Sequence, residues 1–182
     1  MKVMLNNVRL AFPQLFEAKQ VNGEGEPAFS AAFLIEPGSA NVKTLEAAIA
    51  AAAQEKFGAK AGTMLDQMRK ADKTCLHDGN NKPDLDGYAD MLYVSARTKA
   101  RPLVLGQDKS PLTVADGKPY GGCYVNASLD IWAQDNKFGK RINAQLRGVQ
   151  FVRDGESFAG GGAASEDEFA PITEGADAED LA

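Results

Sequence analysis

The first third of the chain changes from an alternating to a helical hydrophobic pattern. Apolar side chains recur at every second position in residues 7–16 and again in residues 28–36, which is the period of a β-strand. The segment between them, VNGEGEP, is rich in turn-forming residues. From Asn41 to Phe57 the apolar positions follow helical spacing, and Gly58 stands where a helix ends. The pattern predicts a β-hairpin followed by a helix.

The rest of the chain is predicted to be rich in strands. A second short helix, Met64 to Lys70, is followed by a long polar loop from Asp72 to Asp90. Three strand-like runs come after it, separated by turns that contain Gly, Asp and Pro: MLYVSARTKARPLVL, GCYVNASLDIWAQ and KRINAQLRGVQFV. We therefore expect a mainly β protein, a short-stranded sheet or barrel with a helical insert.

Cationic and aromatic side chains occupy one face of each of these three predicted strands. Alternate side chains leave opposite faces of a strand, so small apolar residues share one face and the charged residues share the other. No acidic residue interrupts the cationic row in the first run. The side chains in question are Tyr93, Arg97, Lys99 and Arg101 in the first run, Tyr124 and Trp132 in the second, and Phe138, Lys140, Arg141 and Arg147 in the last strand and the turn before it.

Cations interleaved with aromatic rings on a small β-barrel are what single-stranded nucleic acid requires. The phosphates need positive charge, and unpaired bases need π surfaces, each worth roughly 1–3 kcal/mol. We predict that the six cations contact the DNA backbone and that the four aromatic residues stack on bases. Two alternatives stay open: an ordinary solvated face for the row in the first run, and a second core under the helices for Tyr124 and Trp132.

The acidic residues are concentrated at the end of the sequence. Residues 159–182 contain seven of the 25 acidic residues and no Lys or Arg, so residues 1–158 carry +2 although the whole chain carries −5. Such a segment cannot bury enough apolar surface to offset its chain entropy. We expect one domain, residues 1–158, and a flexible acidic tail, residues 159–182. The charge asymmetry indicates an anionic partner for the domain, with the tail competing for the same surface. A tail that only raises solubility is the alternative.

No motif in the sequence predicts catalysis. The KPDLDGY segment would place Lys82 at the first ligand position of a calcium loop, and an ammonium group cannot bind a cation. Cys75 and His77 lack the further ligands that a zinc site needs. We expect no enzyme, no metal and no cofactor. With no signal-peptide core and no apolar run long enough for a membrane, we also expect a cytoplasmic protein with free cysteines.

Three segments resemble the single-stranded DNA-binding proteins of tailed phages. They are VRLAFPQLFEA, DGYADMLYVSARTKARPLVL and PYGGCYVNASLDIWAQDNKFGKRINAQLRGVQFVRDGESFAGG, the last followed by EDEF. The resemblance spans most of the chain and keeps the order of the elements. It implies an OB-like five-stranded barrel with one or two helices and an acidic C-terminal tail, located in the cytoplasm of the bacterial host.

The same resemblance implies a function. It is largely sequence-independent binding of single-stranded DNA during phage DNA replication or recombination. The tail would compete for the DNA groove or recruit replication or recombination proteins, and self-association on DNA is a further expectation. Two other hypotheses remain: a structural or assembly phage protein without nucleic-acid binding, and a metal-dependent enzyme or nuclease accessory built on the loop from Asp72 to Asp90.

Overall fold

The computed structural model describes residues 1–21, 23–158 and 168–172. Within them, β-strands predominate and two helices lie between the second strand and the third. The elements are β1 (Lys2–Val21), β2 (Glu24–Ile35), α1 (Ala40–Phe57), α2 (Ala61–Lys70), β3 (Leu76–Asp78), β4 (Leu92–Thr98), β5 (Leu103–Leu105), β6 (Tyr124–Asn136) and β7 (Gly139–Arg153).

Five of the strands close into a barrel. The chain of pairings runs β1–β2, β2–β4, β4–β7, β7–β6 and β6–β1. All are antiparallel except β4–β7, where Arg97 lies opposite Gln145. The short strands β3 and β5 pair with β4 and β7 respectively. This arrangement confirms the OB-like five-stranded barrel expected from the sequence.

The inward faces of the strands form the main core. Along β6, residues 124 to 132 alternate strictly between a buried and a more exposed side chain, as the sequence pattern predicts. The same alternation holds in β4 from Val94 to Thr98 and in β7 from Arg141 to Arg147. The polar rows predicted for these three strands therefore face outward.

The two helices form one helical segment interrupted by a single 3-10 turn. Leu45, Ile49 and Ala53 of α1 are buried in the barrel core, because helical spacing places them on one side. Gly58 has a φ of +56°, a conformation that favours glycine, and it ends α1 as predicted. α2 begins three residues earlier than the sequence pattern indicates, at Ala61.

A second, smaller core lies on the outer face of β1, β2 and β4. It is formed by Ala11, Ala32 and Leu34 together with Tyr88 and Tyr93. Tyr88 belongs to the segment between β3 and β4, within the polar loop that the sequence predicts. The loop therefore covers part of the outside of the barrel.

Phe12 departs from the predicted alternation in β1. Its pattern would place the side chain beside Val8 and Leu10 in the core, but the ring is 58% exposed. The register between β1 and β2 shifts after Ala11, and Phe12 adopts a φ of +48°. This β-bulge turns the ring outward.

Most of the predicted acidic tail lies outside the described residues. The exception is residues 168–172, where Phe169 and Ile172 have exposed side chains. Among the described residues, neither α1 nor α2 combines the length and the apolar character that a membrane crossing requires.

Candidate nucleic-acid interface

A cleft of about 1100 Å³ lies between β4 and the β6–β7 hairpin. Its lining includes five of the ten predicted site residues, namely Arg97, Lys99, Trp132, Phe138 and Arg141. The start of β2 and the hairpin tip between β6 and β7 also border it. An OB-fold binds oligonucleotides on the face of its second and third barrel strands and on these two connections. The cleft therefore occupies the ligand-binding position of the fold.

The cleft presents two aromatic rings to solvent. Trp132 is 43% exposed and Phe138 is 75% exposed. Trp132 points outward from β6 and lies opposite Asn143 of β7, while Phe138 stands at the hairpin tip with the Lys137 ammonium 5.1 Å from its ring centroid. Trp132 is therefore not part of a second core under the helices, and both rings are open to a stacking partner.

Three exposed cations line the same cleft. Arg97 extends from β4, and Arg141 from β7 opposite Gln134. Lys99 follows the end of β4 and forms an ion pair with Glu26, which lowers the pKa of that carboxyl group. Because this ion pair is exposed to water, it contributes little to stability. A phosphate can therefore replace Glu26 as the partner of Lys99 at a small cost in free energy.

His77 also borders the cleft, although the sequence predicts no role for it in DNA binding. Its Nδ1 is 2.7 Å from Asp72 Oδ1, and its ring stacks on Tyr93 with centroids 5.0 Å apart.

Cys75, two residues earlier, is buried, and burial raises the pKa of its thiol to about 12. The thiol therefore stays protonated at neutral pH, unlike the thiolate that a nucleophilic cysteine requires.

Tyr93 lies on the outer face of β4, as predicted, but it is covered. Only 6% of the residue is exposed, because Tyr88 packs edge-on against its ring at a centroid distance of 5.0 Å. Burial raises the pKa of both tyrosines, to about 12 for Tyr88. In this arrangement Tyr93 belongs to the smaller core, and its ring faces are occupied by Tyr88 and His77 rather than open to a base.

The other four predicted residues lie outside the cleft lining. Arg101 donates a hydrogen bond to the Phe16 carbonyl, 3.0 Å away. Lys140 is 3.6 Å from Asp135, and Arg147 is exposed on the outer face of β7. Tyr124 is at the far end of β6 from Trp132. The structure thus brings five of the ten predicted site residues together in the cleft.

The structure contains no candidate metal centre in the part of the chain that it describes. No three His, Cys, Asp or Glu side chains of residues 1–21, 23–158 and 168–172 converge as metal ligands would. Asp84 and Asp86, which the metal-enzyme hypothesis requires, are not part of such a group.

Comparison with known proteins points to one family. The family model described as Enterobacter phage Enc34, ssDNA-binding protein, matches residues 1–182. Protein p50 of Acyrthosiphon pisum secondary endosymbiont phage 1 is 48% identical over 172 residues, which cover 93% of this chain and 92% of that protein.

Several solved structures are similar in fold. The single-stranded DNA-binding protein from bacteriophage Enc34, solved in complex with ssDNA, superposes with a TM-score of 0.64 at 26% identity, over 87% of this chain and 89% of that one. Gp2.5, a single-stranded DNA-binding protein encoded by bacteriophage T7, superposes with a TM-score of 0.56 over 92% and 93% of the chains. At 11% identity, the second likeness concerns the fold alone.

Proposed function

This chain belongs to the family of the Enterobacter phage Enc34 single-stranded DNA-binding protein, and we propose that it binds single-stranded DNA in the cleft between β4 and the β6–β7 hairpin. The observation that carries the proposal is that exposed rings and exposed cations meet there. Arg97, Lys99 and Arg141 bind phosphates, and Trp132 and Phe138 stack on bases. Stacking accepts every base, so little sequence preference is expected.

The binding role requires no catalysis. Single-stranded DNA is held by charge and stacking, and the amides of Asn143 and Gln145, which line the cleft, add hydrogen-bond donors and acceptors along the same wall. In phage DNA replication or recombination, the protein would cover unpaired strands and keep them accessible to partner enzymes. Self-association along the strand is part of the same proposal.

The acidic tail would regulate access to the cleft. Phe158 is the last described residue before it, and its ring lies 4.4 Å from the Arg9 guanidinium, near the Tyr124 end of β6. Tyr124 and Trp132 are eight residues apart on that strand, or ~26 Å at ~3.3 Å per residue. A segment as long as residues 159–182 can span ~80 Å when extended, so its carboxylates can reach the cleft.

The tail would also serve as a docking segment once DNA displaces it. Phe169 and Ile172 are exposed and lie among acidic residues. An acidic segment with two apolar side chains suits a basic groove that contains an apolar pocket. Replication or recombination proteins are the partners we propose for it.

Fluorescence anisotropy with labelled oligo-dT tests the binding proposal directly. We would use a strand of about 20 nucleotides, because an OB-fold occupies ~4–16 nucleotides. The Arg97→Gln/Arg141→Gln variant should bind less tightly, while Lys60→Gln should not, since Lys60 is exposed but lies outside the cleft lining. Trp132 is the only tryptophan, so quenching of its intrinsic fluorescence should accompany binding.

The outcomes separate the hypotheses. No binding by the wild-type chain, combined with a stable oligomer, would favour the structural phage protein. Binding or activity that requires a divalent metal and is lost in Asp84→Asn or Asp86→Asn would favour the metal enzyme. If the affinity does not fall with salt and is unchanged in the Arg97→Gln/Arg141→Gln variant, the DNA binds elsewhere on the protein.

A further inference from the structure

A row of arginines continues from the cleft along the outer face of β7. Arg141 lines the cleft, Arg147 lies midway along the strand and Arg153 ends it, and all three are exposed. We refer to them as the β7 arginine stripe. From first to last they span twelve residues, or ~40 Å at ~3.3 Å per residue. The outward residues between them are uncharged: Asn143, Gln145 and Gln150.

Two β-bulges in β7 decide which side chains belong to this outer face. Leu146 and Gly148 pair with consecutive residues of β6, so Arg147 is an inserted residue. Phe151 and Arg153 also pair with consecutive residues of β6, so Val152 is a second insertion. Each insertion shifts the alternation by one position. The second one returns Arg153 to the outer face.

The acidic residues nearest the stripe on β6 are already paired. Asp130 accepts a hydrogen bond from the N-terminal amine of Met1 at 2.8 Å, and Asp135 lies 3.6 Å from the Lys140 ammonium. Asp130 lies on the outer face of β6 with Trp132, whereas Asp135 shares the parity of the inward-facing Ile131 and Ala133. The contact with Met1 therefore offsets the one negative charge that β6 carries on its outer face. The β7 arginine stripe therefore remains a positive surface that an anionic chain can follow.

The far end of the stripe is a preorganised cationic site. Arg9, Tyr124 and Arg153 lie in one row across β1, β6 and β7. The Arg153 guanidinium is 3.6 Å from the centroid of the Tyr124 ring, and its Nε donates to Asn7 Oδ1 at 3.3 Å. Stacking and this bond restrict the side chain, while its terminal amino groups have no hydrogen-bond partner among the described residues.

Arg9, unlike Arg153, uses its guanidinium for hydrogen bonds within the protein. Its Nε donates to the Gly122 carbonyl at 3.0 Å and a terminal amino group donates to the Glu156 carbonyl at 2.6 Å. It therefore holds the segment after β7 against the barrel. A depression of about 440 Å³ beside the row has Arg9 and Arg153 in its lining against a single acid, Glu36.

We propose that Arg153 is a second contact for the same DNA strand, where it binds a phosphate of the segment that leaves the cleft along the β7 arginine stripe. The inference rests on the proposed function of the cleft. Tyr124 is then a positioning residue: its ring is covered by Arg153 and orients that guanidinium instead of stacking on a base. The footprint of the protein on DNA extends from Trp132 to Arg153, beyond the cleft itself.

A length series of oligo-dT strands tests this second contact in the full chain. A strand of about six nucleotides fills the cleft only, whereas one of about 20 nucleotides can also reach Arg153. Arg153→Gln should leave the affinity for the short strand unchanged. It should lower the affinity for the long strand about threefold to fivefold, as the loss of one exposed ion pair does. The salt slope for the long strand should fall by about 0.7.

Three matched variants sharpen the result. Arg153→Lys should restore the salt slope, because the charge is kept, and Tyr124→Phe should behave as wild type, because the ring is kept. Tyr124→Leu should reduce long-strand binding, with no further loss when it is combined with Arg153→Gln, since the two residues act as one unit.

The two proposals can fail separately. If the wild-type chain does not bind the short strand, the cleft proposal falls. If short-strand binding is intact and Arg153→Gln either has no effect or weakens short and long strands equally, only the second contact is overturned. Additive losses from Tyr124→Leu and Arg153→Gln would overturn the positioning role of Tyr124.

Discussion

Trp132 and Tyr93 occupy equivalent positions but have different surroundings. Both point outward from barrel strands, and the same alternation rule predicts both as base-stacking residues. Trp132 is 43% exposed at the edge of the cleft, whereas Tyr93 is 6% exposed beneath the segment that carries Tyr88. An outward position therefore does not guarantee access, because another part of the chain can cover it. The difference separates a residue that supports binding from one that supports the fold.

The largest effect should come from Tyr93→Ala. Removing a buried ring that contacts Tyr88 and His77 leaves a cavity and should lower the free energy of unfolding by about 3 kcal/mol. Oligo-dT affinity per folded molecule should not change. Urea denaturation followed by circular dichroism gives the first quantity and anisotropy the second. Tyr93→Phe, which keeps the ring, is the control. Weaker DNA binding by Tyr93→Ala at an unchanged free energy of unfolding would show that Tyr93 belongs to the DNA interface.

Trp132→Ala should show the opposite behaviour. Losing the exposed ring should weaken oligo-dT binding by roughly 1–3 kcal/mol, the contribution of one stacked base. The free energy of unfolding should stay within about 0.5 kcal/mol of wild type, as for other surface changes. Trp132→Phe should recover part of the affinity. A variant that unfolds easily but binds normally when folded would show that Trp132 supports the barrel instead.

Removing the acidic tail should affect the cleft at Trp132 but not the covered site at Tyr93. Deleting residues 159–182 should tighten binding at low salt by about tenfold, or ~1.4 kcal/mol, because tethered carboxylates no longer compete with phosphates. The gain should shrink as salt rises. Anisotropy across a salt series measures both effects.

The control is a tail of scrambled sequence with its charge kept. Restored inhibition would show that charge is sufficient. Equal affinity of the truncated and full-length chains at every salt concentration would rule out competition for the cleft, and would leave solubility or partner docking as the function of the tail.

The smallest effect concerns the cations beside Trp132. Replacing Arg97 and Lys99 with glutamine should flatten the log–log dependence of affinity on salt by about one unit, since each phosphate contact contributes about 0.7. The combined change in slope is expected to be smaller than that of two full phosphate contacts because Glu26 already pairs with Lys99. Lys60→Gln, which removes one positive charge outside the cleft lining, should leave the slope unaltered. An unaltered slope in the double variant would place the phosphates elsewhere.

The sequence by itself determined the local features of this protein. Alternation in β4, β6 and β7 depends only on neighbouring residues, because the side-chain period of a strand is two. The outward positions of Arg97, Trp132 and Arg141 could therefore be predicted without a structure. The helical period likewise located α1, and Gly58 marked its end. Resemblance to phage DNA-binding proteins supplied the OB-like barrel, which periodicity left open as a sheet or a barrel.

Only the tertiary structure decided which outward residues meet and which are covered. Arg97 shares a cleft with Arg141 because β4 and β7, distant in sequence, pair to close the barrel. Tyr93 is buried because a segment that reads as a polar loop packs on it. Bulges turn Phe12 outward and place Arg153 beside Tyr124. Strand closure, loop covering and register shifts arise from contacts between distant parts of the chain, so no local period can encode them.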